Sequence, residues 1–325
     1  MLAVSIFMPI FAVAMKYETL WHRLTGIYDT DEAKAIVRWM LDIRFGLSLT
    51  DIVCGKLDEL TDAEQSELEG MMRRLEAGEP VQYVTGTTEF YGRQFHVEPG
   101  VLIPRPETEE LCRWMIEKRK DQERRREGVR RGGEYQVLDV GTGSGCIAIT
   151  LSLEMKDAKV TAWDISDDAL TIAQKNADAL GAEVAFEKRD ALNLNHGDRH
   201  SDLRCATIIE PVPMIHPVPM IQQWDMIVSN PPYVCMKEAA TMEKHVLEHE
   251  PHLALFVPDD DPLRFYRAIA HYAWETLKPN GLLYFELNPL YACETEEMVR
   301  RLGFAETDIK QDMFGKQRFL KTKKI

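Results

Sequence analysis

Asn230, Pro231, Pro232 and Tyr233 close an apolar run in the stretch "MIVSNPPYVC". As a set they neither attack a substrate nor hold a metal; what they offer is acceptors held still. The Asn230 side-chain carbonyl and the Pro231 backbone carbonyl can each take one N–H of a planar NH2 group, and Tyr233 presents a flat face for that group to pack on. Proline fixes its own φ and forces extended geometry on the residue before it, so both acceptors are rigid. This suits methyl transfer from a sulfonium to a poor amide or aromatic nitrogen. The leaving group is already activated, alignment supplies much of the rate, and the clamping oxygens favour the charge developing on nitrogen. Taken alone, the four residues could also be a strand followed by an ordinary proline turn, with Asn230 as turn former.

A second constellation argues against that plainer reading. "VLDVGTGSGCIAI" is a buried strand that runs into Gly141, Thr142, Gly143, Ser144 and Gly145 and then a small-residue helix start. Glycines let the backbone approach a ligand closely, and the helix N-terminus presents free N–H groups. The spacing G-x-G-x-G is neither the dinucleotide fingerprint nor a phosphate loop, which would need a Lys that is absent here. The next strand, "VTAWDIS", ends in Asp164, placed to accept hydrogen bonds from both ribose hydroxyls of a nucleoside. Asp190, after the third strand in "EKRDAL", is placed to meet the adenine amino group. These features fit S-adenosylmethionine better than a nicotinamide dinucleotide. Both constellations lie at strand C-termini, where open α/β sheets put their sites.

The elements that must carry these residues alternate strand and helix, which implies a mostly parallel sheet with helices on both faces. Strands are expected at 135–140, 158–164, 182–188, 224–229 and 281–287, with a final pair near 304–309 and 317–321. Ahead of them, 15–88 reads as a small helical domain: a helix over 30–41 capped by Thr30 or Asp31, and another opened by a Thr61–Glu64 capping box and stopped by Gly78. A hairpin around Gly92 and a linker helix with Pro106 near its start fill 89–133, and the methyltransferase domain occupies 134–325. "PVPMI" occurs twice near 198–222, and its prolines forbid a central strand, so that segment reads as a loop insertion. The apolar first fourteen residues lack a basic start and are too short to span a bilayer; they read as an over-long or disordered terminus, with Met15 as the natural start.

Of the 325 residues 45% are hydrophobic, enough for a sizeable core, and the formal charge of -14 disfavours stable nucleic-acid binding, which needs clustered Lys and Arg. The six cysteines show no metal spacing and no disulfide framework, as in a reducing cytoplasm. A cytoplasmic monomer without a metal or membrane attachment is expected.

Read together with "EPVQYVTGTTEFYGRQFHVEPGVLIPRPETEEL", "EPHLALF" and the terminal "DMFGKQRFL", these motifs resemble the release factor glutamine methyltransferase family (HemK/PrmC). The resemblance runs over nearly everything from Met15 onward, and "VLIPRPETE" is its most specific part. It implies a Rossmann-like, class I S-adenosylmethionine-dependent methyltransferase domain, with a seven-stranded sheet, behind a helical domain that binds class-I peptide chain release factors. The implied reaction methylates the N5 amide nitrogen of the glutamine in their Gly-Gly-Gln loop, leaving S-adenosylhomocysteine. By motif position, Gly141 to Gly145 and Asp164 bind the cofactor, and Asn230, Pro231, Pro232 and Tyr233 hold the glutamine amide, with Asn230, Pro231 and Tyr233 catalytic and Asn230 also beside the methyl donor, within the cofactor set. Arg105, with Glu107 and Glu109, is expected to pin the two domains together. Where family members often carry an aromatic residue after the third strand, this chain has Ala191 and Leu192. The competing readings are an adenine-N6 methyltransferase on DNA or RNA, which would use the same four acceptor residues, and a non-catalytic S-adenosylmethionine-binding adaptor.

Overall fold

The computed structural model describes residues 16–125, 134–194 and 222–325. The expected over-long terminus, and all but the last residue of the proline-rich insertion, lie outside them. The chain forms two compact units: one holds its described residues up to Gly86 together with Lys244–His249, the other Thr87–Glu243 and Glu250–Ile325.

The first unit is helical: α1 (Tyr17–Leu24), α2 (Thr30–Phe45), α3 (Leu49–Val53), α4 (Asp62–Glu76) and α5 (Val81–Thr85). The α2 cap is Asp29 rather than Thr30 or Asp31, because its carboxylate accepts the N–H groups of both Asp31 and Glu32. Thr61 and Glu64 close the capping box on α4 as their spacing requires. Leu24, Met40, Leu41, Leu68 and Met72 are sealed between these helices, and Arg23 on α1 bridges Glu69 and Glu76 on α4. The same unit takes in the distant segment Lys244–His249, whose His245 ring lies 6.3 Å from Tyr28.

In the second unit a hairpin of β1 (Thr87–Phe90) and β2 (Arg93–His96) leads to α6 (Pro106–Arg125), so pairing begins two residues before the expected boundary at 89. The sheet follows: β3 (Tyr135–Val140), α7 (Cys146–Glu154), β4 (Ala158–Asp164), α8 (Asp167–Leu180), β5 (Val184–Lys188) and β6 (Trp224–Ser229). After β7 (Val234–Cys235) the chain passes through α9 (Lys244–His249), which belongs to the first unit, and the second unit resumes with α10 (His252–Leu255), β8 (Phe256–Val257), α11 (Arg264–Thr276), β9 (Leu277–Glu286), α12 (Ala292–Arg301), β10 (Ala305–Gln311) and β11 (Gln317–Lys323). Seven strands form one sheet in the order β10-β11-β9-β6-β3-β4-β5. Only β11 runs against the others, so the sheet is mostly parallel.

Alternation along the strands sorts side chains to two faces. Val137, Val228, Tyr284 and Phe319 point into a core closed by α6 and α7, whereas Leu138, Ile227, Phe285 and Leu320 point into one closed by α11 and α12. Each such side chain, removed from water, contributes roughly 1.5–3 kcal/mol. β9 starts four residues before the expected Gly281. Its register with β6 shifts between Trp224 and Met226, and the β9 side of that shift includes Asn280, whose φ is 65°. No helix among the described residues is long and apolar enough to cross a membrane.

Candidate functional site

The two constellations meet because β3 and β6 are parallel neighbours in register. Val140 pairs with Ser229, and the Ser229 hydroxyl donates to the Val140 carbonyl at 2.6 Å. Gly141 and Asn230 therefore leave adjacent strands at the same level, with Asp164 ending β4 alongside and Asp190 just past β5.

The glycine loop is held from below. The N–H groups of Gly141 and Thr142 both donate to the Trp163 carbonyl, and the Thr142 hydroxyl donates to the buried Asp139 carboxylate at 2.7 Å. Gly141 and Gly143 adopt left-handed backbone, and a β-carbon on either would meet nothing within 4 Å, which leaves an open cradle above them. Gly145 has a different reason to be glycine. Its β-carbon would stand 2.9 Å from Ile149 Cδ1 and 3.1 Å from Ala173 Cβ, so here the requirement is close packing of α7 and α8. With φ at 82° as well, Gly145→Ala is expected to cost about 2–4 kcal/mol in chemical unfolding.

Asp164 supports the same loop. One carboxylate oxygen accepts the Gly143 N–H at 2.9 Å and the other the Ser166 N–H at 3.0 Å. Each oxygen keeps a second lone-pair direction, so a pair of vicinal hydroxyls can still be received. Ser166 caps α8 through the Ala169 N–H, which leaves Asp164 to the loop. Burial pushes its carboxyl up, opposed by the Ser166 and Gly143 N–H groups. Asp190 accepts from the Leu192 N–H and the Asn193 side chain, and so shapes its own turn. Ala191 packs toward the α11 core, while Ile165, directly after Asp164, is 43% exposed and is the apolar surface nearest that strand end in sequence.

Beneath the loop, burial raises the Asp139 carboxyl from 3.8 to about 7, against the Thr142 hydrogen bond. The unfolded chain releases this proton near pH 4, whereas the folded protein holds it until about 7. Stability fully present below pH 4 is therefore lost as pH rises through 7. Wild type is expected to lose about 2–4 kcal/mol across that window relative to Asp139→Asn, in urea unfolding at pH 5 and 7.5.

Asn230 is oriented by residues that its own motif does not contain. Its Nδ2 donates to Thr108 Oγ1 at 3.3 Å, and Thr108 donates in turn to Glu286 Oε2 at 2.7 Å. Tyr233 donates its hydroxyl to Glu286 Oε1 at 3.2 Å, and its ring packs beside the core that contains Tyr266 and Phe285. Burial pushes the Glu286 carboxyl up, against the Thr108 and Tyr233 hydrogen bonds and Arg318, and pushes the Tyr233 phenol well above its ordinary range. The backbone after the prolines is strapped as well: Asn288 donates to the Tyr233 carbonyl and to Glu238, and Glu238 accepts the Cys235 N–H.

Thr108 and Glu286 were not among the expected site residues. Arg105 is also placed differently. It donates to the buried Glu250, which additionally accepts the Ile103 N–H, while Glu109 receives the Tyr91 N–H. Both ends of the Arg105 pair lie in the second unit, so the pair holds parts of one unit rather than pinning the two together, and it fixes the "IPRP" segment to the loop before α10.

The arrangement is thus an open glycine cradle with a carboxylate at the next strand end, beside the Asn230–Tyr233 turn that ends β6. Residues 21–86 match the family model described as "PrmC N-terminal domain", and residues 137–224 match one described as "Methyltransferase domain". A release factor glutamine methyltransferase from Bacteroides thetaiotaomicron is 42% identical over 91% of this chain and 95% of its own length. Those of Flavobacterium psychrophilum and Koribacter versatilis are 37% identical over 92% and 94%, and 43% identical over 74% and 74%, respectively. With that much of the sequence shared on both sides of the linker helix, and a Rossmann-like methyltransferase sheet behind a helical unit, the chain belongs to the release factor glutamine methyltransferase family.

Proposed function

We propose that this protein transfers a methyl group from S-adenosylmethionine to the N5 side-chain amide of the glutamine in the Gly-Gly-Gln loop of class-I peptide chain release factors. The cradle fits such a cofactor: Gly141 and Gly143 leave backbone room, Thr142, Ser144 and Gly145 complete the turn into α7, and Asp164 keeps lone pairs for two ribose hydroxyls. Asp190 stands at the adenine edge, with Ile165 as apolar surface for the ring. When bound, S-adenosylmethionine supplies a methyl group already activated on sulfonium.

The chain's own residues do the rest. Asn230 Oδ1 and the Pro231 carbonyl accept the two N–H bonds of the substrate amide, and the Tyr233 face supports its plane, with Pro232 keeping the turn stiff. Drawing on both N–H bonds favours charge on nitrogen as its lone pair takes the methyl group; the S–CH3 bond electrons stay with sulfur, which leaves as the neutral thioether of S-adenosylhomocysteine, and one N–H proton is then given up to solvent. The observation that carries the reading is the Asn230 carboxamide: its NH2 is committed to Thr108, so its carbonyl remains to accept. The cytoplasm, where release factors work, is the proposed compartment, and a monomer with no stable nucleic-acid partner the proposed state.

The test is incubation with methyl-labelled S-adenosylmethionine and, separately, a release factor, its Gly-Gly-Gln variant with Gln changed to Ala, and nucleic acid. Label on the wild-type factor alone is expected. Label on nucleic acid would favour an adenine methyltransferase, and cofactor binding without any transfer would favour an adaptor.

A further inference from the structure

We infer that Glu286, acting through Thr108, is the positioning group that sets which way the Asn230 carboxamide faces. This rests on the reading of Asn230 as the acceptor for the substrate amide.

An asparagine side chain is nearly symmetric in shape and opposite in polarity at its two ends, so packing alone does not fix its orientation. Hydrogen bonding does. Thr108 is 2% exposed, and its hydroxyl has one proton, which goes to Glu286 Oε2. Its oxygen can then only accept from its other neighbour, so Asn230 must offer Nδ2 and turn Oδ1 away. Glu286 is also 2% exposed, and the two hydroxyls it receives come from the residues on either side of the prolines' work: Thr108, which holds Asn230, and Tyr233 itself. Ionised, the carboxylate accepts from both. Protonated, it can donate to Thr108, freeing the threonine proton to face Asn230 and admitting the reversed amide, which would present an NH2 to another NH2.

The groups facing Glu286 set when that reversal occurs. The Thr108 and Tyr233 hydroxyls and Arg318 on β11 favour the ionised form; Glu107 opposes it, and Cys112 on α6, Cys146 on α7 and, on α11, Tyr266 complete the surroundings. Burial dominates and raises the carboxyl, so the working orientation is present at higher pH and is lost as pH falls through the Glu286 titration.

The experiment measures kcat, release-factor KM and cofactor Kd for wild type, Thr108→Val, Thr108→Ser and Glu286→Gln. Thr108→Val is expected to lower kcat by about ten-fold or more with cofactor Kd within about two-fold, and Thr108→Ser to restore most of the rate. A Thr108→Val kcat within about two-fold of wild type, or a Thr108→Ser enzyme as slow as the valine variant, overturns the inference. Should Thr108→Val not fold, the pH profile of kcat at saturating substrates decides. Wild type should lose kcat toward acid and Glu286→Gln should flatten that limb; an unchanged limb in the glutamine variant overturns the assignment. Failure of the wild type to methylate a release factor would remove the functional reading beneath it, whereas normal wild-type transfer with an indifferent Thr108→Val removes only the orientation.

Discussion

Asn230→Ala is expected to reduce kcat on a release factor by about 10²–10³-fold, with cofactor Kd changed by less than about three-fold. The asymmetry follows from where the contact matters. The ground-state amide nitrogen is barely basic, and an acceptor on its N–H gains most as positive charge builds during transfer, so removing it raises the barrier more than it weakens any resting complex. Alanine also leaves Thr108 and Glu286 intact beneath it, so the loss reports on the missing acceptor. Isothermal titration of the cofactor alongside single-turnover methylation separates the two quantities. Equal losses in both would show Asn230 to be a cofactor-binding residue only.

The opposite pattern is expected at Asp164. Its carboxylate holds the Gly143 and Ser166 N–H groups, and in the proposed complex it also receives the ribose. Asp164→Ala removes two charge-assisted bonds to the ribose worth roughly 1.5–3 kcal/mol each, so cofactor Kd should rise about 10²–10⁴-fold. Once the site is saturated, kcat should stay within about three-fold, because none of those bonds strengthens during transfer. The same titrations measure it. A large loss of kcat at saturation would mean that the glycine loop also orients the reacting atoms. Together the two variants separate binding of the donor from activation of the acceptor.

The strand ends that build the site are readable from the amino-acid sequence because their chemistry is local. A buried strand, a glycine turn and a carboxylate, or a strand and two prolines, are contiguous patterns, and parallel topology then brings them to one edge. The missing residues are those whose meaning is set across long distances in the chain. Thr108 sits in "PETEE", where helix-start composition is explanation enough, yet its partner is Glu286. Glu286 did leave a signal: a lone carboxylate inside "GLLYFEL" cannot face water on a strand covered on both sides, so it must be partnered. Arg105 has the same character, since nothing near "IPRPE" points to Glu250. The two-residue strands β7 and β8 are too short to show any period, and the early start of β9 is hidden by Lys278-Pro279-Asn280-Gly281, which has turn composition but lies within the strand, where its register with β6 shifts.

The placement of Lys244–His249 in the helical unit bears on any attempt to dissect the protein. The polypeptide visits that unit twice, first at its beginning and again between Tyr233 and the Glu250 that anchors Arg105. A cut after Gly86 would thus separate α1 to α5 from a six-residue piece of their own fold and leave that piece, without its companions, in the loop just downstream of the acceptor motif. Shuffling the front unit between relatives should respect this thread, and a functional chimera would carry both visits from the same parent.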